Sequence, residues 1–134
     1  ITEEDTSLFR SVNRLKKKFA AANDVPQRLN NFFKHYGLDG YCVKGFFDAS
    51  LKNIDSDATY CFAHVDCDAY TSHFDCLEYV YPRISAGGCI VFDDYNAKKW
   101  PGATKAIDEF FLDKPEKLFL SDKKDRAAWY IQKL

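Results

Sequence analysis

Residues 59 to 68 read TYCFAHVDCD, and residues 89 to 94 read CIVFDD. In each, an apolar run of strand length gives way to a pair of acids, Asp66 with Asp68 in the first and Asp93 with Asp94 in the second. Apart from His64 the runs are apolar at successive positions, the pattern of parallel strands covered by helices on both faces. Ligands of open α/β sheets bind beyond the carboxyl ends of the strands. Acids converging there from neighbouring strands form an oxygen cage suited to a hard divalent cation. The two stretches therefore predict a parallel α/β sheet with a metal site where two of its strands end.

The flanking sequence fills in the rest of such a fold. Leu8, Val12, Leu15 and Phe19 keep a helical stripe that Asn23 and Asp24 break. Pro26 opens a second helix that should carry Leu29, Phe32, Phe33 and Tyr36 inward and stop at Gly37. Residues 41 to 46 (YCVKGF) read as a short strand, and Ser50 to Asn53 as a helical turn. Thr71 or Ser72 is placed to cap a helix with Phe74, Leu77, Tyr81 and Ile84 on one face, kinked or restarted at Pro82 and ended by Gly87 and Gly88. Pro101 begins a helix with Ala103, Ala106, Ile107, Phe110 and Phe111 at helical spacing. Last, KLFL (117 to 120) and AAWYI (127 to 131) flank a polar turn and form an antiparallel pair. With no repeat or linker, residues 1–134 are expected to be one domain, a helical segment over 1–36 and an α/β core over 41–134.

Composition narrows the function classes. The chain has 134 residues, 46% of them hydrophobic and 16% aromatic, enough for one core of ordinary size. Its 19 basic and 20 acidic residues give a net charge of −1, without the basic footprint of a nucleic-acid binder. No apolar run reaches the roughly 20 residues of a membrane span, and ITEEDTSLFR carries no signal segment, so a soluble protein is expected. Cys42, Cys61, Cys67, Cys76 and Cys89 are odd in number and lack C-x-x-C spacing, as free thiols of a reducing cytoplasm do. Cys67 would point away from both flanking acids on an extended segment, which weighs against a nucleophile or soft-metal ligand there.

The series KGFFDASL, FAHVDCDAYTSHFDCLEYVYPRISAGGCIVFDDYN, PGATKAIDEFF and AAWYIQKL resembles the second half of the macrocin O-methyltransferase family, metal-dependent sugar O-methyltransferases of antibiotic pathways. The resemblance runs from about Leu29 to the end, and D-x-D-x-Y, Y-P-R-[IL]-S-x-G-G and D-D-Y in that order are what make it specific. It implies a class I methyltransferase fold, a Rossmann-like three-layer sandwich, with S-adenosylmethionine as methyl donor. It also implies a magnesium-type ion on Asp66, Asp93 and Asp94, and Asp68 as general base. Gly45 and Phe46 would lie on the adenine side of the cofactor. The glycine-rich cofactor loop of the family has no counterpart here, since Gly87 and Gly88 follow a helix and precede a strand, so the chain is expected to be the C-terminal part of such an enzyme.

These residues suit methyl transfer to a hydroxyl, where a bound cation stabilises developing negative charge and Asp68 takes the proton. Tyr70 and Tyr95 would line the pocket of a small hydroxylated substrate such as a sugar, with ordinary packing as the competing reading. Asp68 also fits a helix cap, and His64 a hydrogen-bonded core histidine; His73 is the reserve base. Two other functions compete: a non-catalytic binding or oligomerisation module of the same descent, and, more distantly, a metal-dependent phosphohydrolase. The sheet is expected to join strands 59–65, 89–92, 117–120 and 127–131. Strand 41–46 then either pairs with 59–65, or that edge is covered by another chain, a second copy or an N-terminal half.

Overall fold

The computed structural model describes residues 25–122 and 127–134. The amphipathic helix expected over Leu8 to Phe19 lies outside the described residues, as does most of the turn before the last strand. In chain order the elements are α1 (Val25–His35), α2 (Phe47–Ser50) running into a 3-10 turn (Leu51–Asn53), β1 (Tyr60–Val65), α3 (Tyr70–Val80), a second 3-10 turn (Tyr81–Arg83), β2 (Ile84–Phe92), α4 (Pro101–Phe111), β3 (Phe119–Leu120) and β4 (Trp129–Gln132).

The strands form a mixed sheet in the order β1-β2-β4-β3. β1 and β2 are parallel, with Val65 opposite Phe92, while β4 runs antiparallel to β2 with Ile131 opposite Ile90. Val65, Ile90, Phe92 and Ile131 thus share one face, against which Leu77 of α3 and Ile107 and Phe111 of α4 pack. Leu77, Ile90, Ile107 and Ile131 are wholly buried. The apolar spacing of α4 did predict its buried face, where Ala103, Ala106, Ile107 and Phe111 lie, and Pro101 does open the helix. α1 ends as expected too. Gly37 has φ +63°, the Leu38 N–H reaches the Phe33 carbonyl at 2.9 Å, and the Gly37 N–H reaches that of Lys34 at 3.3 Å.

Several expectations differ from the structure, the cap at Thr71 or Ser72 among them, since α3 begins at Tyr70 with Ala69 as its N-cap. Residues 41 to 46 are not a strand, since a strand needs a ladder partner and β1 takes none on that side. Within α1 only Phe33 and Pro26 are partly covered, while Leu29, Phe32 and Tyr36 stay exposed. β1 is an edge strand whose two faces are not both covered by helices, leaving Phe62 57% exposed and His64 about half exposed instead of in the core. Finally, α3 stops at Val80 and Ile84 opens β2. β2 therefore begins well before residue 89, through an irregularity that sets Tyr60 opposite Ile84 but Phe62 opposite Cys89. Gly88 permits this crossing, because a Cβ there would meet the Cys61 and Ser85 carbonyl oxygens at 2.9 Å.

The C-terminal strand is tied to the helices through Glu116. Its buried carboxylate accepts from the Tyr81 hydroxyl at 2.7 Å, from Lys133 Nζ at 2.9 Å and from the Leu134 N–H at 3.3 Å. Burial alone would raise its pKa, but the hydrogen bonds from Tyr81, Lys133 and backbone N–H groups outweigh it and hold the group at about 2. A carboxyl whose folded pKa is depressed stabilises the fold above its unfolded value and loses that contribution as pH falls through the folded one. Glu116→Gln is accordingly expected to lower stability by about 2 kcal/mol at pH 7. The gap should close between about pH 4.5 and pH 2. Parallel denaturant titrations across that range check this, and a gap that does not depend on pH would contradict it.

Candidate acidic site at the strand ends

β1 ends at Val65, and the chain turns at once. Asp68 takes φ +60°, the left-handed conformation that costs most residues about 1–2 kcal/mol and that Asp tolerates better than most. The Ala69 N–H closes back on the Cys67 carbonyl at 2.6 Å, and α3 starts at Tyr70 with Ala69 as its N-cap and no side-chain cap. Asp68 is therefore not the helix cap that its position suggested. Its N–H instead donates to Asp94 Oδ2 at 3.1 Å, bridging the two acidic segments inside the protein. Across the ladder the Asp93 N–H donates to the Val65 carbonyl at 3.1 Å, which extends the β1–β2 pairing to the acids themselves.

Asp66, Asp68 and Asp94 each offer a carboxylate oxygen, and these oxygens lie within 4.8 Å of one another, with Asp68 and Asp94 buried. Asp93 is exposed and turns the other way, its Oδ1 3.7 Å from His64 Nε2. Of the four acids, the structure brings together three and sets Asp93 beside His64.

The Asp94 carboxyl is pushed up to about 6, first by burial and then by the charges of Asp68, Asp66 and Asp93, against the single N–H from Asp68 that favours its ionised form. A hard oxygen donor set whose own repulsion disfavours ionisation is the set a divalent cation completes, so these residues fit such an ion. His73, one turn into α3, is wholly buried, with Nδ1 3.0 Å from the Ala69 carbonyl oxygen. Cys67 turns its sulfur to Cys76, 3.5 Å away, and that contact together with burial pushes its thiol far up, which removes it as a nucleophile.

Tyr70 and Tyr95 are partly buried, each close in sequence to one of the acidic pairs. The Tyr70 hydroxyl donates to Glu109 Oε2 and the Tyr95 hydroxyl to Asp108 Oδ1, each at 2.6 Å, and the Tyr95 ring packs on Trp129. Burial, then the bond to Asp108, raises the Tyr95 phenol to about 12, so it remains a donor at neutral pH. Glu109 and Asp108 escaped the sequence reading; adjacent acids on the exposed side of α4 give no signal until the tyrosines are in place. Gly45 and Phe46 lie just before α2, with Phe46 83% exposed. An open cleft of about 430 Å³ between α2 and α3 is lined by Phe47, Leu51, Tyr79 and Arg83 among others, and none of the four acids lines it.

Helices packed on a mixed sheet make this an α/β fold, and solved structures identify it as that of the class I O-methyltransferases. The O-methyltransferase NovP superposes with a TM-score of 0.74 at 25% identity, over 99% of this chain and 52% of NovP. CalS11, a calicheamicin methyltransferase, gives 0.58 at 22% identity over 66% of this chain and 35% of its own. A family model described as macrocin-O-methyltransferase (TylF) matches residues 4–126, and the chain belongs to that family. A demethyldecarbamoylnovobiocin O-methyltransferase of Streptomyces niveus is 33% identical over 81 residues, 58% of this chain and 30% of the relative. The chain thus spans about a third to a half of the length of these relatives.

Crowded carboxylates oppose folding while no cation is bound. Asp94→Asn keeps an oxygen for the Asp68 N–H and removes one charge, so it is expected to raise the melting temperature in the presence of chelator by a few degrees, the equivalent of about 1 kcal/mol. A lower melting temperature in chelator would show that the carboxylates are already compensated within the protein.

Proposed function

We propose that this chain is the metal-binding and proton-accepting part of an S-adenosylmethionine-dependent O-methyltransferase acting on a hydroxyl of a sugar or similar small natural product. The observation that carries the reading is the convergence of Asp66, Asp68 and Asp94 at the carboxyl ends of β1 and β2. Membership of the macrocin-O-methyltransferase family supports the reaction type.

Asp66 and Asp94 would hold a magnesium-type ion; the family resemblance implies Asp93 as the third ligand, which would require its side chain to turn from His64, whereas the geometry brings Asp68 to that place. When bound, that ion supplies Lewis-acid stabilisation of the negative charge developing on the substrate oxygen. Asp68 takes the hydroxyl proton on its carboxylate while the oxygen accepts the methyl group from the donor's sulfonium. Tyr70 and Tyr95 border the acceptor, positioned by Glu109 and Asp108. Gly45 and Phe46 belong to the adenine side of the cofactor. The setting is the cytoplasm, where the five cysteines would stay reduced.

Magnesium or manganese titration followed by calorimetry tests the site. Saturable binding is expected, weakened at least tenfold by Asp66→Asn or Asp94→Asn, each of which removes a charged ligand. Asp93→Asn and Asp68→Asn separate the two remaining roles. In the complete methyltransferase, Asp68→Asn should cost on the order of 100-fold in kcat with little change in ion affinity. If ion affinity collapses in Asp68→Asn and survives in Asp93→Asn, Asp68 is the third ligand. Ion binding without methyl transfer by the complete polypeptide would favour a non-catalytic module instead.

A further inference from the structure

His73 is held in one tautomer by its own helix. Helical side chains lean toward the N-terminus, and here the ring reaches the carbonyl of Ala69, the residue directly after Asp68. The His73 N–H and its Nδ1 both meet that oxygen, at 3.1 and 3.0 Å. A carbonyl oxygen only accepts, so Nδ1 must carry the proton and donate. Burial disfavours a second proton on the ring, whereas the charges of Asp68 and Asp66 act on it in the opposite sense and are outweighed.

Nε2 is left as a lone-pair acceptor. It is fully buried and has no hydrogen-bond partner among the described residues. The polar groups whose charges the ring feels, Asp68 and Asp66, are carboxylates and accept as well. With Ala69, which holds the ring, directly after Asp68, a buried ring acceptor and carboxylate acceptors belong to one neighbourhood; a partner that donates in both directions satisfies both, and a water molecule is the smallest one that does.

Building on the reading of the acidic site as a cation site, we propose that His73 is a positioning residue: Nε2 accepts a hydrogen bond from a water that the Asp66–Asp68–Asp94 group also holds, so that the histidine fixes that water and, through it, the carboxylates. A cation bound there would have this water available as one of its oxygen ligands. Histidine does this without becoming a ligand, and without changing charge.

Two measurements decide it. Ring-nitrogen NMR of protein with 15N-labelled histidine, assigned by the signals missing from His73→Asn, is expected to show Nδ1 protonated and Nε2 unprotonated; a protonated Nε2 overturns the proposal. In manganese calorimetry, His73→Asn keeps a donor for the Ala69 carbonyl but has nothing at the Nε2 position, and should bind about tenfold more weakly. His73→Gln, which can offer an oxygen near that position, should recover most of the loss. A His73→Asn affinity within twofold of the unsubstituted protein overturns the proposal. If the unsubstituted protein binds no manganese, the cation reading of the site fails, and the water-holding role of His73 then stands or falls on the NMR result alone.

Discussion

Everything at this site depends on the parallel pairing of β1 with β2 and on its register. Val65 sits opposite Phe92, both buried, and the Asp93 N–H continues the ladder onto the Val65 carbonyl. Hydrophobic burial of that last pair therefore fixes where the acids emerge. A slip of one residue would send every side chain of β1 to the opposite face, and Asp66 away from Asp94. The core on one side of the sheet and the acidic group at its end are two results of the same register.

Beyond the ladder the backbone is bent to serve the acids. Asp68 accepts a left-handed conformation, and the turn directs its N–H to the Asp94 carboxylate while α3 begins without a side-chain cap. Regular strand geometry stops where the carboxylates meet. α4 ties in the flanking segments, since Glu109 and Asp108 accept from the hydroxyls of Tyr70 and Tyr95. The charge concentrated at the strand ends opposes folding, and the buried contacts of Leu77, Ile90, Ile107 and Ile131 beneath it offset the cost.

The parts legible in the sequence were those governed by periodicity and by strong local signals. Continuous apolar runs marked β1 and β2, i, i+3, i+4 spacing marked α4, and Gly37 marked the end of α1, because each follows from local geometry. What a segment pairs with is not local. YCVKGF has strand-like composition yet finds no ladder, and the apolar positions of α1 find little to cover them among the described residues. Ile84 continued the helical spacing of α3, and only the pairing with β1 shows that it belongs to β2. The opposite orientation of Asp93 and Asp94 was available in principle, since neighbouring residues at a strand end point to opposite sides. The turn at Asp68 was not, because a left-handed aspartate leaves no mark in composition.

Whether a divalent cation is held where β1 and β2 end is read from manganese added in small amounts to 15N-labelled protein, since a bound paramagnetic ion broadens the amide signals around it. Broadening is expected to be strongest at residues 65 to 70 and 92 to 96 at low ratios of ion to protein, and to be removed by excess magnesium. Broadening spread over the exposed acids around Asp55, Asp57 and Asp113, with the strand ends unaffected, would contradict that reading.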